Sequence, residues 1–344
     1  MAEQSLAVRY RPKTFDDVVE QDSVKKILRQ QLETDTIKNA YLFCGGAGTG
    51  KTTCARIFAN EINKGKGEPF ELDAASNNSV DDVRRIIQQS RTQSIDSEYR
   101  IWIIDECHAL SNNAWQAFLK VLEEPSKKSI FIFCTTDPQK IPKTILSRVQ
   151  RYDFQRISYL SIVERLGVVY LSEGHNTLSD GSGDALGYIA KLAQGGMRDA
   201  ITMLDKCLSY STDLSVESVV KALGTVDYGT FFMLTDAIND RNSESIIRIV
   251  EKVHSEGKDL KQFIKSYMAF LLDIVKYDIT KSFEFLQLPN IYENKLSAYQ
   301  NEYGWFENCQ RLLDVIVKLN SAIKWDTQPK VLIEATLLGV LKDE

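Results

Sequence analysis

The sequence of 344 residues has only six cysteines and three histidines, and no two cysteines stand closer than ten positions. With no CxxC pair, neither a zinc knuckle nor a disulfide framework is signalled, so zinc is not expected. Cys44, Cys54, Cys107, Cys134, Cys207 and Cys309 are expected as buried free thiols. No run of 18 uninterrupted apolar residues occurs, and the apolar stretch Val331 to Leu341 is broken by Glu334, so no membrane span is expected. The opening residues carry Glu3, Arg9, Arg11 and Lys13 and lack the shape of a secretory signal, which points to a soluble intracellular, cytoplasmic protein. Low-complexity segments are missing, as are repeats of roughly 20 to 50 residues. Neither sign of charge dominates. With 42 Lys and Arg against 47 Asp and Glu the net charge is −5, so any nucleic-acid contact has to come from a local patch and not from a basic tail.

What is present is an ordinary globular balance, 43% hydrophobic and 26% charged residues, in a chain long enough for two or three domains. Between residues 40 and 156 short β-rich apolar runs alternate with amphipathic stretches. Tyr41-Leu42-Phe43-Cys44, Phe70-Glu71-Leu72, Ile101-Trp102-Ile103-Ile104 and Ile130-Phe131-Ile132-Phe133-Cys134 suit strands of a parallel sheet covered on both faces, which predicts an α/β domain. Ahead of them Val24, Ile27, Leu28, Gln31 and Leu32 form a helical stripe, with Asp22 or Ser23 as its cap. After about Ser158 the strand signals stop. Ile162, Val163, Leu166, Val169 and Tyr170 repeat at helical spacing, and Ile246, Ile249, Val250 and Val253 open another such set. Boundaries near residue 157 and near Gly224, where Leu223-Gly224-Thr225-Val226-Asp227 interrupts the pattern, give domains 1–157, 158–224 and 225–344.

Gly45-Gly46-Ala47-Gly48-Thr49-Gly50-Lys51-Thr52 follows a predicted strand, opens a predicted helix and fits G-x-x-x-x-G-K-[ST]. Glycines let consecutive backbone N–H groups turn toward phosphate oxygens, and the positive end of the following helix adds to their pull. Gly45, Gly46, Gly48, Thr49, Gly50, Lys51, Thr52 and Thr53 are therefore the candidate ATP-phosphate cradle. Lys51 supplies a point charge to the β- and γ-phosphates, and Thr52 offers a hydroxyl to Mg²⁺. Downstream, the apolar strand Ile101 to Ile104 ends in two carboxylates. Asp105 is placed to reach the Mg²⁺ shell, and Glu106 to orient a water for attack on the γ-phosphate. Asp105-Glu106-Cys107-His108 also spells the tetrapeptide of one helicase superfamily, but that reading needs a second α/β motor domain where the pattern is helical. His108 is accordingly expected as a structural loop residue. A weaker DNA candidate is the helix that Asn77-Asn78-Ser79 can cap, carrying Arg84 and Arg85 with Arg91 beyond; Asp81 and Asp82 offer the alternative of a solvated, self-neutralised face.

A set of segments then occurs in order: Leu6 to Val19 (LAVRYRPKTFDDVV), the Lys51 loop, Asp105 to Leu110, Leu119-Lys120-Val121-Leu122-Glu123-Glu124-Pro125, Thr135-Thr136-Asp137-Pro138, Ile145-Leu146-Ser147-Arg148 and Gly196-Met197-Arg198-Asp199-Ala200. Together they closely resemble the gamma/tau ATPase subunits of bacterial DNA polymerase III clamp loaders, of the AAA+ class, over roughly residues 6 to 210. The resemblance implies an α/β P-loop NTPase domain, a helical lid and an all-α collar that assembles subunits. It implies an ATP-driven motor that opens a ring-shaped sliding clamp and places it on primer-template DNA together with sister subunits. It also implies roles by position: Thr135 and Thr136 at sensor 1, Arg148 as a finger reaching a neighbouring subunit's nucleotide, Arg198 as the lid's sensor 2, and Val18 and Val19 at the adenine pocket.

Two departures stand out. Asn63 to Pro69 spans directly the gap where bacterial members carry a zinc module, and Val149 follows Arg148 where the family has cysteine. The chain also stops where longer bacterial subunits continue, which suggests a compact phage-encoded subunit or a truncated piece. A branch-migration type AAA+ motor and a catalytically silent scaffold subunit are the alternatives, the second opposed by the complete set Lys51, Thr52, Asp105 and Glu106.

Overall fold

The computed structural model describes residues 4–77, 79–90, 96–126, 128–175, 180–224, 228–283, 286–299 and 304–341. The chain divides into two compact units, Met1–Glu173 with Ala193–Asp205, and Gly174–Leu192 with Lys206–Glu344.

The first unit is built on five strands: β1 (Ala40–Gly45), β2 (Phe70–Asp73), β3 (Arg100–Asp105), β4 (Ser129–Thr135) and β5 (Gln150–Phe154). All pair in parallel, in the order β2-β3-β4-β1-β5. Alternation along β1 explains the layering. Tyr41 and Phe43 point into a core with Cys54, Phe58 and Leu28, whereas Leu42 and Cys44 point into the opposite core with Trp115, Phe118 and Val83. After α1 (Leu6–Arg9), the helices covering the two faces are α2 (Asp22–Glu33), α3 (Lys51–Ile62), α4 (Val80–Ser90), α5 (Asn112–Glu123) and α6 (Lys143–Leu146), followed by α7 (Tyr159–Ser172).

Three features differ from the expectations or add to them. β5 is a strand that the sequence reading passed over: it is an edge strand burying only Tyr152 and Phe154, so it alternates and has no apolar run. The cap of α2 is neither Asp22 nor Ser23. Gln21, in the left-handed region at φ 57°, precedes the helix, and its amide is engaged elsewhere: Nε2 donates to the Gln155 carbonyl at 2.8 Å, and Oε1 accepts from the Gln155 N–H at 3.1 Å. In the expected stripe of α2, Val24, Leu28 and Gln31 are buried, whereas Ile27 is exposed.

In the other unit lie α8 (Asp180–Leu192), α10 (Val216–Leu223), α11 (Tyr228–Asn239), α12 (Ser243–Ser255), α13 (Leu260–Thr280), α14 (Glu293–Ala298), α15 (Trp305–Ile323) and α16 (Pro329–Val340); α9 (Met197–Tyr210) runs across the division between the units. Among the described residues after 157 there is no strand. The interior of this unit is rich in aromatic rings: Phe231 and Phe232 pack against Tyr267 and Phe270 of α13, and Tyr299 stacks on both Phe232 and Trp305 of α15. α10 ends on Gly224 at φ 68°, the left-handed stop that glycine tolerates. The rest of the expected interruption, Thr225 to Asp227, lies outside the described residues.

Candidate functional site

The carboxyl ends of β3, β4 and β1 are neighbours in the sheet, and they deliver Asp105, Thr135 and the loop after Gly45 to one rim. This is where open parallel sheets bind ligands. A solvent-open cleft of about 260 Å³ lies there, and its walls include Val18, Val19, Gly48 to Thr53, Asp105, Glu106 and Arg198. The loop holds its shape by close packing. Gly48 has φ +69°, and a Cβ on it would come within 2.9 Å of Gly196 Cα. The Gly48 carbonyl accepts from the Met197 N–H at 3.0 Å, which ties the loop to the start of α9 just before Arg198.

Lys51, the first residue of α3, is 6% exposed. Its ammonium donates to the carbonyls of Gly45 at 2.9 Å and Gly46 at 2.7 Å. Burial pushes its pKa down, and the nearby acidic groups, Glu106 and Asp105 among them, pull it back up. Beside it, Thr52 Oγ1 donates to Asp105 Oδ2 at 2.8 Å, so the two groups expected to share a metal shell are already adjacent. Hard oxygen donors of this kind, one hydroxyl and one carboxylate, suit Mg²⁺ that arrives with a nucleotide. Among the described residues no group of three or more His, Cys, Asp or Glu side chains is arranged to hold a metal ion.

Glu106 sits at φ 46°, ψ 40°, a conformation uncommon for a side chain of this kind. Its carboxylate is fixed from two directions: Thr136 Oγ1 donates to Oε2 at 3.0 Å, and His108 Nδ1 lies 3.2 Å from the same oxygen. The same ring nitrogen is in hydrogen-bond geometry with the Thr135 hydroxyl, so its approach to Glu106 is a close contact beside that bond. Of the two candidate threonines, then, Thr136 is the one that touches Glu106. Thr135 is fully buried, with its hydroxyl 3.2 Å from His108 Nδ1 and accepting from the Asp137 N–H at 3.0 Å.

Arg148 does not line this cleft. It lies just past α6 and pairs with Glu123 at the end of α5, Nη2 to Oε1 at 2.7 Å. Arg84 and Arg85 are elsewhere again, on α4. There they face Asp81 at 3.3 Å and Asp82 at 4.0 Å, with Ser79 capping the helix through the Asp82 N–H at 3.2 Å. Asn78 and Arg91 lie outside the described residues.

Four side chains at or near these positions were given no role in the site from sequence. Arg11 lines the cleft, and its pKa is lowered first by burial and then by the positive charges of Arg56 and Arg198, so it adds to a cationic wall. Gln21 clamps the start of α2, His108 braces Glu106, and Glu123 holds Arg148. Each stands within or next to a segment quoted above, yet only the tertiary fold brings it to its partner. The six cysteines are all buried free thiols. Burial raises Cys44 to about 11 and Cys54 to about 12.

Comparison with known proteins adds sequence relatives to this geometry. Residues 70–158 match the family described as DNA polymerase III, delta subunit, and residues 214–342 match that described as DNA polymerase III subunits gamma and tau domain III. The chain is 33% identical over 362 residues to DNA polymerase III subunit tau of Bacillus subtilis, covering 99% of this chain and 63% of that protein. It is 28% identical over 367 residues to DNA polymerase III subunit gamma of Buchnera aphidicola, covering 98% of each. Of the Bacillus subtilis tau and two Mycoplasma gamma/tau relatives it spans 63%, 43% and 50% of the length. Among solved structures, the Thermotoga maritima RuvB Holliday junction branch migration motor superposes with a TM-score of 0.51 at 19% identity, covering 73% of this chain and 86% of that one. At that identity the likeness shows a shared fold alone. It accords with a parallel-sheet AAA+ core followed by helices.

Proposed function

Because the chain belongs to the gamma/tau type of DNA polymerase III subunits, which are AAA+ ATPases, we propose that it is the ATP-driven motor subunit of a sliding-clamp loader. In this reading ATP binding draws sister subunits into an arrangement that holds an open ring-shaped clamp. Primer-template DNA then triggers hydrolysis and release, in the cytoplasm of a bacterium or an infected host. The three-part division 1–157, 158–224 and 225–344 into motor, lid and collar belongs to the same proposal.

The observation that carries it is the joint placement of Lys51, the Thr52–Asp105 pair and a braced Glu106 on one rim, with Arg198 on the same cleft. Lys51 and the N–H groups at the start of α3 bind and orient a triphosphate, while Val18 and Val19 face its base. Mg²⁺ bound with the nucleotide would be held by Thr52 and Asp105 and would neutralise charge on the phosphate oxygens. Glu106, kept in place by Thr136 and His108, orients the attacking water and accepts its proton. Arg198 senses the nucleotide from the start of α9. Arg148 lies off this cleft, which supports a site completed by a neighbouring subunit's arginine.

Two variants test the reading. Lys51→Ala is expected to abolish ATP binding with the fold intact, since it removes the loop's own side-chain charge. Glu106→Gln is expected to bind ATP and clamp yet stall before release. Near-normal nucleotide affinity in the first, by equilibrium binding, or normal turnover in the second, would remove the assigned roles.

A further inference from the structure

The contacts of Arg148 reach a residue that the reaction as described leaves unused. Arg148 Nη2 donates to Glu123 Oε1 at 2.7 Å, and Nη1 donates both to the Thr144 carbonyl at 2.8 Å and to Ser147 Oγ at 3.0 Å. Ser147 Oγ itself donates to the Thr144 carbonyl at 3.0 Å, so its lone pairs, and not its proton, are turned to the guanidinium. Three acceptors from two elements therefore fix the plane of a side chain that otherwise has several rotatable bonds. A guanidinium carries five N–H donors in a rigid fork. Three are committed here, which leaves Nε–H and one Nη2 hydrogen without a partner among the described residues and able to meet an anion from outside the chain.

Glu123 is the last residue of α5, with about half of its side chain exposed, as is a third of that of Arg148. A pair this exposed contributes little to fold stability. Its physical value is orientation: the rotamer is selected before a phosphate arrives, so less freedom is lost on contact. The carboxylate could instead restrain the arginine and compete with the phosphate for it. The backbone carbonyl and the serine hydroxyl argue against that, because they are neutral and hold the same guanidinium in the same pose.

We infer that Glu123 is a positioning residue for Arg148, with Ser147 and the Thr144 carbonyl completing a three-acceptor seat that presents the guanidinium to a nucleotide held by the neighbouring subunit. The inference rests on the reading of Arg148 as a finger that acts outside its own chain. Two motifs that are separate in sequence, Leu-Glu-Glu-Pro and Leu-Ser-Arg, thereby become one device.

The test is steady-state ATP hydrolysis at saturating ATP, together with equilibrium affinity for a fluorescent ATP analogue, on the assembled complex carrying Glu123→Ala, Glu123→Gln, Arg148→Ala or Glu123→Ala with Arg148→Ala. Glu123→Ala is expected to lower kcat by roughly 10- to 100-fold, the scale of a misplaced catalytic contact, with KM and analogue affinity unchanged. Glu123→Gln should recover part of the loss, because its amide oxygen still accepts. Adding Glu123→Ala to Arg148→Ala should change nothing further, since the seat then has no occupant. A wild-type rate in Glu123→Ala beside a crippled Arg148→Ala overturns the positioning role and leaves the finger standing. A faster rate, or a double variant slower than Arg148→Ala, overturns it too, in favour of restraint or of a structural role. A wild-type rate in Arg148→Ala removes the finger, and this inference with it.

Discussion

Lys51 and Arg148 are both cations presented at the end of an element of the same α/β unit, and they are held in opposite ways. Lys51 is buried, and its ammonium rests on two backbone carbonyls, with Asp105 and Glu106 acting on it only through space. Arg148 is partly exposed and hydrogen-bonded directly to a carboxylate. A buried cation on neutral partners keeps its charge for whatever anion enters the cleft, and low surrounding polarity strengthens that attraction. An exposed cation on an ion pair gains its definition from geometry instead and keeps free donors for an anion outside the chain. In the proposed reading the first arrangement serves binding, and the second serves a step that needs a neighbour.

The largest expected effect tests that division directly. Arg148→Ala should leave ATP binding intact and reduce hydrolysis in the assembly by about 10³- to 10⁵-fold, the range measured for arginine fingers. Arg198→Ala, altered on the cleft itself, should instead loosen the coupling between ATP and the start of α9, read as a weaker nucleotide-dependent change in protease protection there. If the isolated monomer hydrolyses ATP at the full rate, the contrast between a binding cation and a neighbour's cation collapses.

A middle-sized effect sharpens the description of the cleft as pre-formed. At Gly48 a side chain would meet both a left-handed backbone and the Gly196 backbone at 2.9 Å, whereas at Gly50, φ +98°, nothing lies within 4 Å of the added carbon. Gly50→Ala therefore carries backbone strain alone, about 1–3 kcal/mol for a non-glycine residue in this region. Gly48→Ala must carry that strain and also push the loop off α9. Thermal unfolding should show Gly48→Ala less stable than Gly50→Ala; equal melting temperatures would mean that the loop is not wedged against α9.

The same contrast explains what the sequence made legible. β1, β3 and β4 stood out because central parallel strands bury both faces and so read as apolar runs, and the phosphate loop stood out because its chemistry needs consecutive residues. β5 was missed because an edge strand with Tyr152 and Phe154 alternating among polar residues carries half that signal. Thr52 and Asp105, which hydrogen-bond to each other, could be named together because each belongs to a recognisable local element. Glu123 and Arg148, 25 positions apart, could be matched to motifs but not to each other, since their meeting depends on how α5 and α6 end. His108 shows the limit in another form. Its position beside Glu106 in sequence was plain, but its distance from the Glu106 carboxylate and from Thr135 depends on the turn that Glu106 makes at positive φ.

The smallest expected effect concerns the third set of cations, Arg84 and Arg85, which resemble Arg148 in having carboxylate partners but are far more exposed, 71% and 78% against 34%. They differ in that each partner is three residues away on the same helix, and at 3.3 Å and 4.0 Å neither pair is tight. Asp82 is in addition engaged by Ser79 at the cap. Loose pairs of this kind cost little to exchange for a phosphate oxygen, and the N-terminus of α4 would add to the attraction for one. If α4 follows a DNA backbone, each arginine removed should flatten the log–log salt dependence of DNA binding by about 0.9, with sequence preference unchanged. Arg84→Ala and Arg85→Ala should also lower DNA-stimulated hydrolysis while basal ATP affinity holds, since both lie off the Lys51 cleft. An unchanged salt slope in both variants would make α4 a solvated face whose arginines are neutralised by Asp81 and Asp82. Arg148 would then be the one exposed, carboxylate-paired arginine of the three for which an anion beyond the chain is still proposed.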